Sequence, residues 1–227
     1  MAFMNPNLVS LERTARALEP ILPDLVFAGG TIVGLLINDP GANPVRVTKD
    51  VDVVARMAGN QGYVWATSTM RNLGFQPDAT VGAPACRWVK DGLLVDLVGT
   101  DGTLFGESNP WYAEGFSSRI PYTLPDTGLG IFILSGPVFL LTKWAAYGSR
   151  GEGDISGSHD IEDLLNVLDG RPGLLDEAAG SSAAVREGLH QMTATLMGSA
   201  AFRGYCLASL GEREEAARAI LEKFRTI

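Results

Sequence analysis

The chain has 227 residues, 46% of them hydrophobic and 19% charged, a size that suits one large domain or two small ones around a packed core. A net charge of −8 and a pI near 4.8 argue against a general nucleic-acid coat or a membrane-surface binder, while leaving room for a nucleic-acid substrate at a local basic patch. No apolar run approaches the ~18–20 residues of a membrane span, residues 1–6 carry no secretory pattern, and Cys86 and Cys206 lack metal-like spacing. A reduced, cytoplasmic protein with no membrane partner is expected.

In chain order, Leu8, Leu11, Ala15 and Leu18 recur at helical spacing after Asn5-Pro6, which reads as cap and first turn, and Pro20 and Pro23 close this helix. Leu25 to Ala28 reads as a short buried strand and Thr31 to Ile37 as a short helix, followed by a loop of turn residues from Asn38 to Pro44. A second strand is expected over Asp50 to Ala55, with Val51 and Val53 facing away from Asp50 and Asp52. Tyr63, Ala66, Met70 and Leu73 mark an amphipathic helix that stops at Gly74. Ala85 to Lys90, then Asp91-Gly92, then Leu93 to Val98 reads as a hairpin with a type I′ turn. With Asp91-Gly92 as a two-residue loop, Arg87 lies opposite Asp96. Further strands are expected near Arg119 to Tyr122 and Gly130 to Leu134.

From Ser135 the pattern turns helical. Val138, Leu141 and Ala145 form one stripe after Ser135-Gly136-Pro137. A glycine-rich connector runs from Gly148 to Gly157, and Ser158 caps a helix that buries Ile161, Leu164, Leu165 and Leu168. Two or three helices follow between about Ser181 and Phe224. The fold class is α+β: a small mixed β-sheet core with helices over residues 1–134, then a helical C-terminal part over 135–227.

The chemistry-bearing residues cluster around the second strand. Two carboxylates two apart on a strand, Asp50 and Asp52, share one face and stand ~6–7 Å apart. That spacing suits one or two hard cations held between side chains and a substrate phosphate. Gly29-Gly30, where a strand turns into a helix, gives phosphate oxygens close access to backbone N–H groups, and Thr31 either caps that helix or touches a phosphate. Asp96, an acid amid an apolar strand, is either the third oxygen donor or the cross-strand ion-pair partner of Arg87. Arg46 and Lys49 neutralise phosphate or are simply solvated, and Lys49 alternates away from the aspartates. Lys143 and Arg150, seven apart, clamp a triphosphate, or Lys143 snorkels from a half-buried helix. Asp160 and Asp163 share a face of the next helix, where acids also offset the helix dipole. His159 and His190 show no ligand spacing.

Gly29-Gly30-Thr31 followed by Arg46-x-Thr48-x-Asp50-x-Asp52 resembles the nucleotidyltransferases of the AbiEii toxin type, within the polymerase-beta-like superfamily. The resemblance extends to Asp96, to Lys143 in Lys143-Trp144-Ala145-Ala146, to Arg150 and to Asp160-x-x-Asp163-Leu164. It implies a mixed-sheet nucleotidyltransferase core and Mg²⁺-dependent transfer, with two ions, of a nucleotidyl group from a nucleoside triphosphate to a hydroxyl acceptor. On the matched positions, Asp50, Asp52 and Asp96 would hold metal and act in catalysis with Lys143 and Asp160. Gly29, Gly30, Thr31, Arg46, Thr48, Lys143 and Arg150 would bind the nucleotide. Several members of the family are toxins paired with a separately encoded antitoxin, some acting on the acceptor end of transfer RNA. His159 stands where a lysine is common, and the gap between Gly30 and Asp50 is longer than in minimal superfamily members. Two alternatives remain: a nucleotidyltransferase acting on a small hydroxyl compound such as an antibiotic, and a catalytically silent binding protein of the same fold.

Overall fold

Alternating apolar residues and short turns build a mixed β-sheet in the first part of the chain, and helices fill the rest. The computed structural model describes residues 5, 7–57, 59–101, 109–150 and 154–227; Pro6 of the expected first turn, and Gly151 and Gly153 of the expected connector, lie outside them. The elements are α1 (Leu8–Ala17), β1 (Leu25–Ala28), α2 (Val33–Leu36), β2 (Val51–Ala55), α3 (Gly59–Asn72), β3 (Gln76–Pro77), β4 (Arg87–Lys90) and β5 (Leu93–Gly99). They continue with α4 (Tyr112–Ser117), β6 (Ile120–Thr123), β7 (Gly130–Ile133), α5 (Gly136–Ser149), α6 (His159–Gly170), α7 (Leu174–Ala179), α8 (Ala183–Gly198), α9 (Ala200–Leu210) and α10 (Glu214–Lys223).

These elements form two compact units. One joins the described chain up to Ile32 with Arg46–Leu134 and carries the sheet, in the order β3-β4-β5-β2-β1-β7-β6. Parallel pairing of β2 with β5 and of β1 with β7 interrupts otherwise antiparallel ladders, so the sheet is mixed. β1 lies inside the sheet and all four of its side chains are buried, which explains its unbroken apolar run. β2 and β5 bury Val51, Val53, Val54, Val95 and Leu97 beside it. α1 presses Leu11, Ala15 and Leu18 into the same core, all fully buried.

The other unit joins Val33–Val45 with Ser135–Ile227. The 33–45 segment, which reads in the sequence as part of the N-terminal core, is tied to α6: the N–H groups of Asn38 and Asp39 donate to the Gly170 carbonyl at 2.9 and 3.0 Å. Arg171 adds a 2.7 Å hydrogen bond to the Leu36 carbonyl. α5 is buried from Gly136 through Lys143 and packs on α6, α7 and α8. Ser158 caps α6 as expected, its hydroxyl accepting from the Ile161 N–H at 3.3 Å. Among the described residues, no helix is long and apolar enough to cross a membrane.

Several elements depart from their sequence-based expectation. β2 begins at Val51, leaving Asp50 just before the ladder. Tyr63, expected inward, is 40% exposed, and α3 buries only Ala66 and Met70. β3, α4 and α7 are too short, at two and six residues, to leave a periodic trace.

Candidate functional site

The site starts from the hairpin. Asp91 (φ 47°) and Gly92 (φ 77°) both take positive φ, the requirement of a type I′ turn, so β4 and β5 pair with Lys90 opposite Leu93 and Arg87 opposite Asp96. β5 then pairs in parallel with β2, setting Asp96 beside Asp52, and β2 pairs with β1, setting Asp52 beside Ala28. A single row across four strands therefore reads Ala28, Asp52, Asp96, Arg87, and directly paired residues project to the same face. Asp50, two residues before Asp52, joins that face from the entry to β2.

Arg87 closes the acid cluster. Its Nε donates to Asp96 Oδ1 at 2.8 Å and its Nη2 to Asp96 Oδ2 at 2.7 Å, a two-point fork, and the same Nη2 also donates to Asp50 Oδ2. The Arg87 and Asp96 side chains are 18% and 10% exposed; Asp50, at 35%, marks the solvent side. The hydrogen bond with Asp96 raises the Arg87 pKa above its already high ordinary value. Neighbouring Cys86 is pushed up to about 11 by burial first, then by the charges of Asp96 and Asp52, so it stays a thiol and offers no nucleophile at neutral pH. The cross-strand ion pair of Asp96 with Arg87 that the hairpin register leads one to expect is present.

Gly29 follows β1 directly and takes φ +67°. A Cβ built there would lie 1.7 Å from Asp52 Oδ2, so the turn's backbone and the Asp52 carboxylate are in direct apposition, which only glycine permits. Thr31 is 1% exposed and its hydroxyl donates to the Ala28 carbonyl at 3.3 Å, a turn-stabilising role. Lys49 is exposed, as its alternation implied.

One residue with no sequence signal as a site residue organises the approach to the aspartates. Asn7 does not cap α1 with its side chain. Its Nδ2 donates to the Arg46 carbonyl at 3.0 Å, and its Oδ1 accepts from the Thr48 N–H at 2.9 Å. This amide clamp fixes the Arg46-to-Thr48 backbone immediately before Asp50, and Thr48 itself is buried. The only trace in the sequence is a polar residue where a helix begins.

Lys143, Arg150, Asp160 and Asp163 gather in the helical unit. Lys143 Nζ lies 2.7 Å from Asp163 Oδ2 and 3.2 Å from Asp160 Oδ1, with side-chain exposures of 9%, 1% and 5%. Arg150, at the C-cap of α5, reaches the other Asp160 oxygen at 2.5 Å from an exposed position. Lys143 therefore does not snorkel: it is buried as the cation between two aspartates. Arg150 and Asp160 also border a cleft of about 280 Å³ together with His159.

The donors at the sheet fit a hard divalent cation in kind and charge. All are carboxylates, and Asp50 and Asp96 already turn toward one shared positive group, the Arg87 guanidinium. Among the described residues no three His, Cys, Asp or Glu side chains stand together as a ready metal site, and the place between Asp50 and Asp96 is taken by the Arg87 guanidinium.

No family model matches this chain, and no curated protein matches it. Among solved structures it is similar to an antigenic nucleotidyltransferase-like protein from Paracoccidioides brasiliensis, at 17% identity over 94% of each chain with a TM-score of 0.52. At that identity the likeness is one of fold: a mixed α/β, nucleotidyltransferase-like architecture.

Proposed function

We propose that this chain is a nucleotidyltransferase, moving a nucleoside monophosphate from a nucleoside triphosphate to a hydroxyl acceptor with release of pyrophosphate. The observation that carries this reading is the row of Asp52 and Asp96, with Asp50 beside them, set against the positive-φ turn at Gly29 on a fold of nucleotidyltransferase type. Asp50, Asp52 and Asp96 would hold Mg²⁺, which when bound supplies Lewis-acid stabilisation at the transferring phosphate. Gly29 and Gly30 seat phosphate oxygens on backbone N–H groups. Asp96 would either bind the metal nearer the acceptor or take the acceptor hydroxyl's proton as base. Thr31 and the Asn7-clamped Arg46-to-Thr48 segment hold the strand ends in place rather than touching substrate. Lys143 and Arg150 would offset charge on the leaving group, and Asp160, which pairs with both, would order Lys143.

The finer reading follows the motif resemblance: a toxin of an abortive-infection pair that modifies the acceptor end of transfer RNA and is countered by a separately encoded antitoxin. The test is incubation with each labelled triphosphate, Mg²⁺ and total cellular RNA. Label is expected in the transfer-RNA band and should be lost in Asp52→Asn while thermal unfolding changes little. Label on small molecules instead would favour an antibiotic-type acceptor, and retained transfer by Asp52→Asn would refute the assignment of the site.

The Arg87 bridge favours a second reading, a catalytically silent binding protein that keeps the fold. Calorimetry with nucleoside triphosphates separates the two, because a silent protein shows no Mg²⁺-dependent nucleotide binding.

A further inference from the structure

We propose that Arg87 is a built-in, displaceable counter-cation, and that a divalent ion enters the acid pair only by exchanging with its guanidinium. The inference rests on the nucleotidyltransferase reading above. Two carboxylates from different strands, Asp50 and Asp96, face one guanidinium. Without a cation between them their like charges would repel in a partly desolvated place, so removing Arg87 with nothing in exchange is unfavourable. A divalent ion brings twice the charge to the same oxygens and satisfies both carboxylates at once.

The geometry confines the exchange to the side chain. The backbone around Arg87 is held on both sides, with the Asp78 N–H donating to the Arg87 carbonyl at 3.0 Å and the Leu97 N–H to the Cys86 carbonyl at 2.9 Å. Trp88, next in the strand, is buried at 3% exposure. Only rotation about the side-chain bonds can carry the guanidinium away, and Asp50 is the most exposed of the three side chains. Arg87 keeps its proton throughout, because a guanidinium is not deprotonated in a protein at ordinary pH. It therefore leaves as a cation, and its fork is then available to a phosphate oxygen of the incoming nucleotide. Metal entry and the appearance of a phosphate-binding guanidinium are one event. In the absence of nucleotide, Arg87 makes the site a weak metal binder.

The test is Mn²⁺ binding to the full chain without nucleotide, read by electron paramagnetic resonance of the free ion, for wild type and Arg87→Gln. The variant is expected to bind roughly tenfold to a hundredfold more tightly, the range set by loss of competing charge-assisted hydrogen bonds. Equal or weaker binding by the variant, with wild type binding, overturns the inference and leaves the nucleotidyltransferase reading standing. No binding by either protein overturns the inference as well, and the labelled-transfer test above then decides the nucleotidyltransferase reading by itself. Should Arg87→Gln fail to fold, the Arg87 side-chain Nε–H resonance of wild type under Mg²⁺ titration decides. A shift saturating with the ion supports exchange; an unmoved resonance with Mg²⁺ bound overturns it.

Discussion

Gly29 shows how much one backbone conformation carries. Its φ of +67° costs a non-glycine residue about 1–3 kcal/mol, and the Cβ would also collide with Asp52 Oδ2. Gly29→Ala is expected to lose at least that much stability, measured by urea unfolding, and to lose nucleotide binding more severely, because relieving the collision moves Asp52. Unchanged stability would mean that the turn has another conformation available. Asp96 makes a complementary point: an acid in an apolar strand is conspicuous, and the Asp91-Gly92 turn places Arg87 directly opposite it.

Helices α5 and α6 meet through a charge cluster instead of a purely apolar seam. Lys143, nine-tenths buried, offsets Asp163 and part of Asp160, while Arg150 serves the remaining Asp160 oxygen. Removing the cation alone strands carboxylates in a low-dielectric place, so Lys143→Met should cost about 3–5 kcal/mol in urea unfolding. Adding Asp163→Asn to that variant should recover part of the loss, since the stranded charge is then gone. If the double variant is less stable than the single one by the full cost of Asp163→Asn in wild type, the two residues are not coupled. The hairpin is the contrasting element, with no buried charge in its turn: two positive-φ residues place every pair from Arg87–Asp96 to Lys90–Leu93.

Across the whole chain, each unit is assembled from separated stretches, and the 33–45 segment belongs with residues 135–227. Arg213 is the long-range tie within that helical unit, donating to Asp39 Oδ2 at 2.6 Å and to Asp169 Oδ1 at 2.7 Å. Its hydrogen bond, with a second from the Gly41 N–H, lowers the Asp39 pKa below the ordinary carboxylate value. The folded pKa lies under the unfolded one, so this contribution is fully present above the usual carboxylate range and disappears as pH falls through the depressed value. Arg213→Ala should therefore lower the urea midpoint at neutral pH and much less in acid, once the pH has fallen through the depressed Asp39 value. An equal loss at both pH values would assign the effect of Arg213 to packing by its stem.

The amino-acid sequence by itself determined the short apolar strands β1, β2 and β5, the Asp91-Gly92 turn, the register that opposes Arg87 and Asp96, and the helical character after Ser135. Each depends on a local apolar run or periodicity, or on a turn whose φ values few residues tolerate. Tertiary structure alone decided that Asp50 shares Arg87 with Asp96, that Asn7 clamps the Arg46-to-Thr48 backbone, that residues 33–45 join the helical unit, and that Lys143 is buried between two aspartates. Those outcomes bring together residues many positions apart, and local propensity carries no record of which distant group will satisfy a given charge or amide.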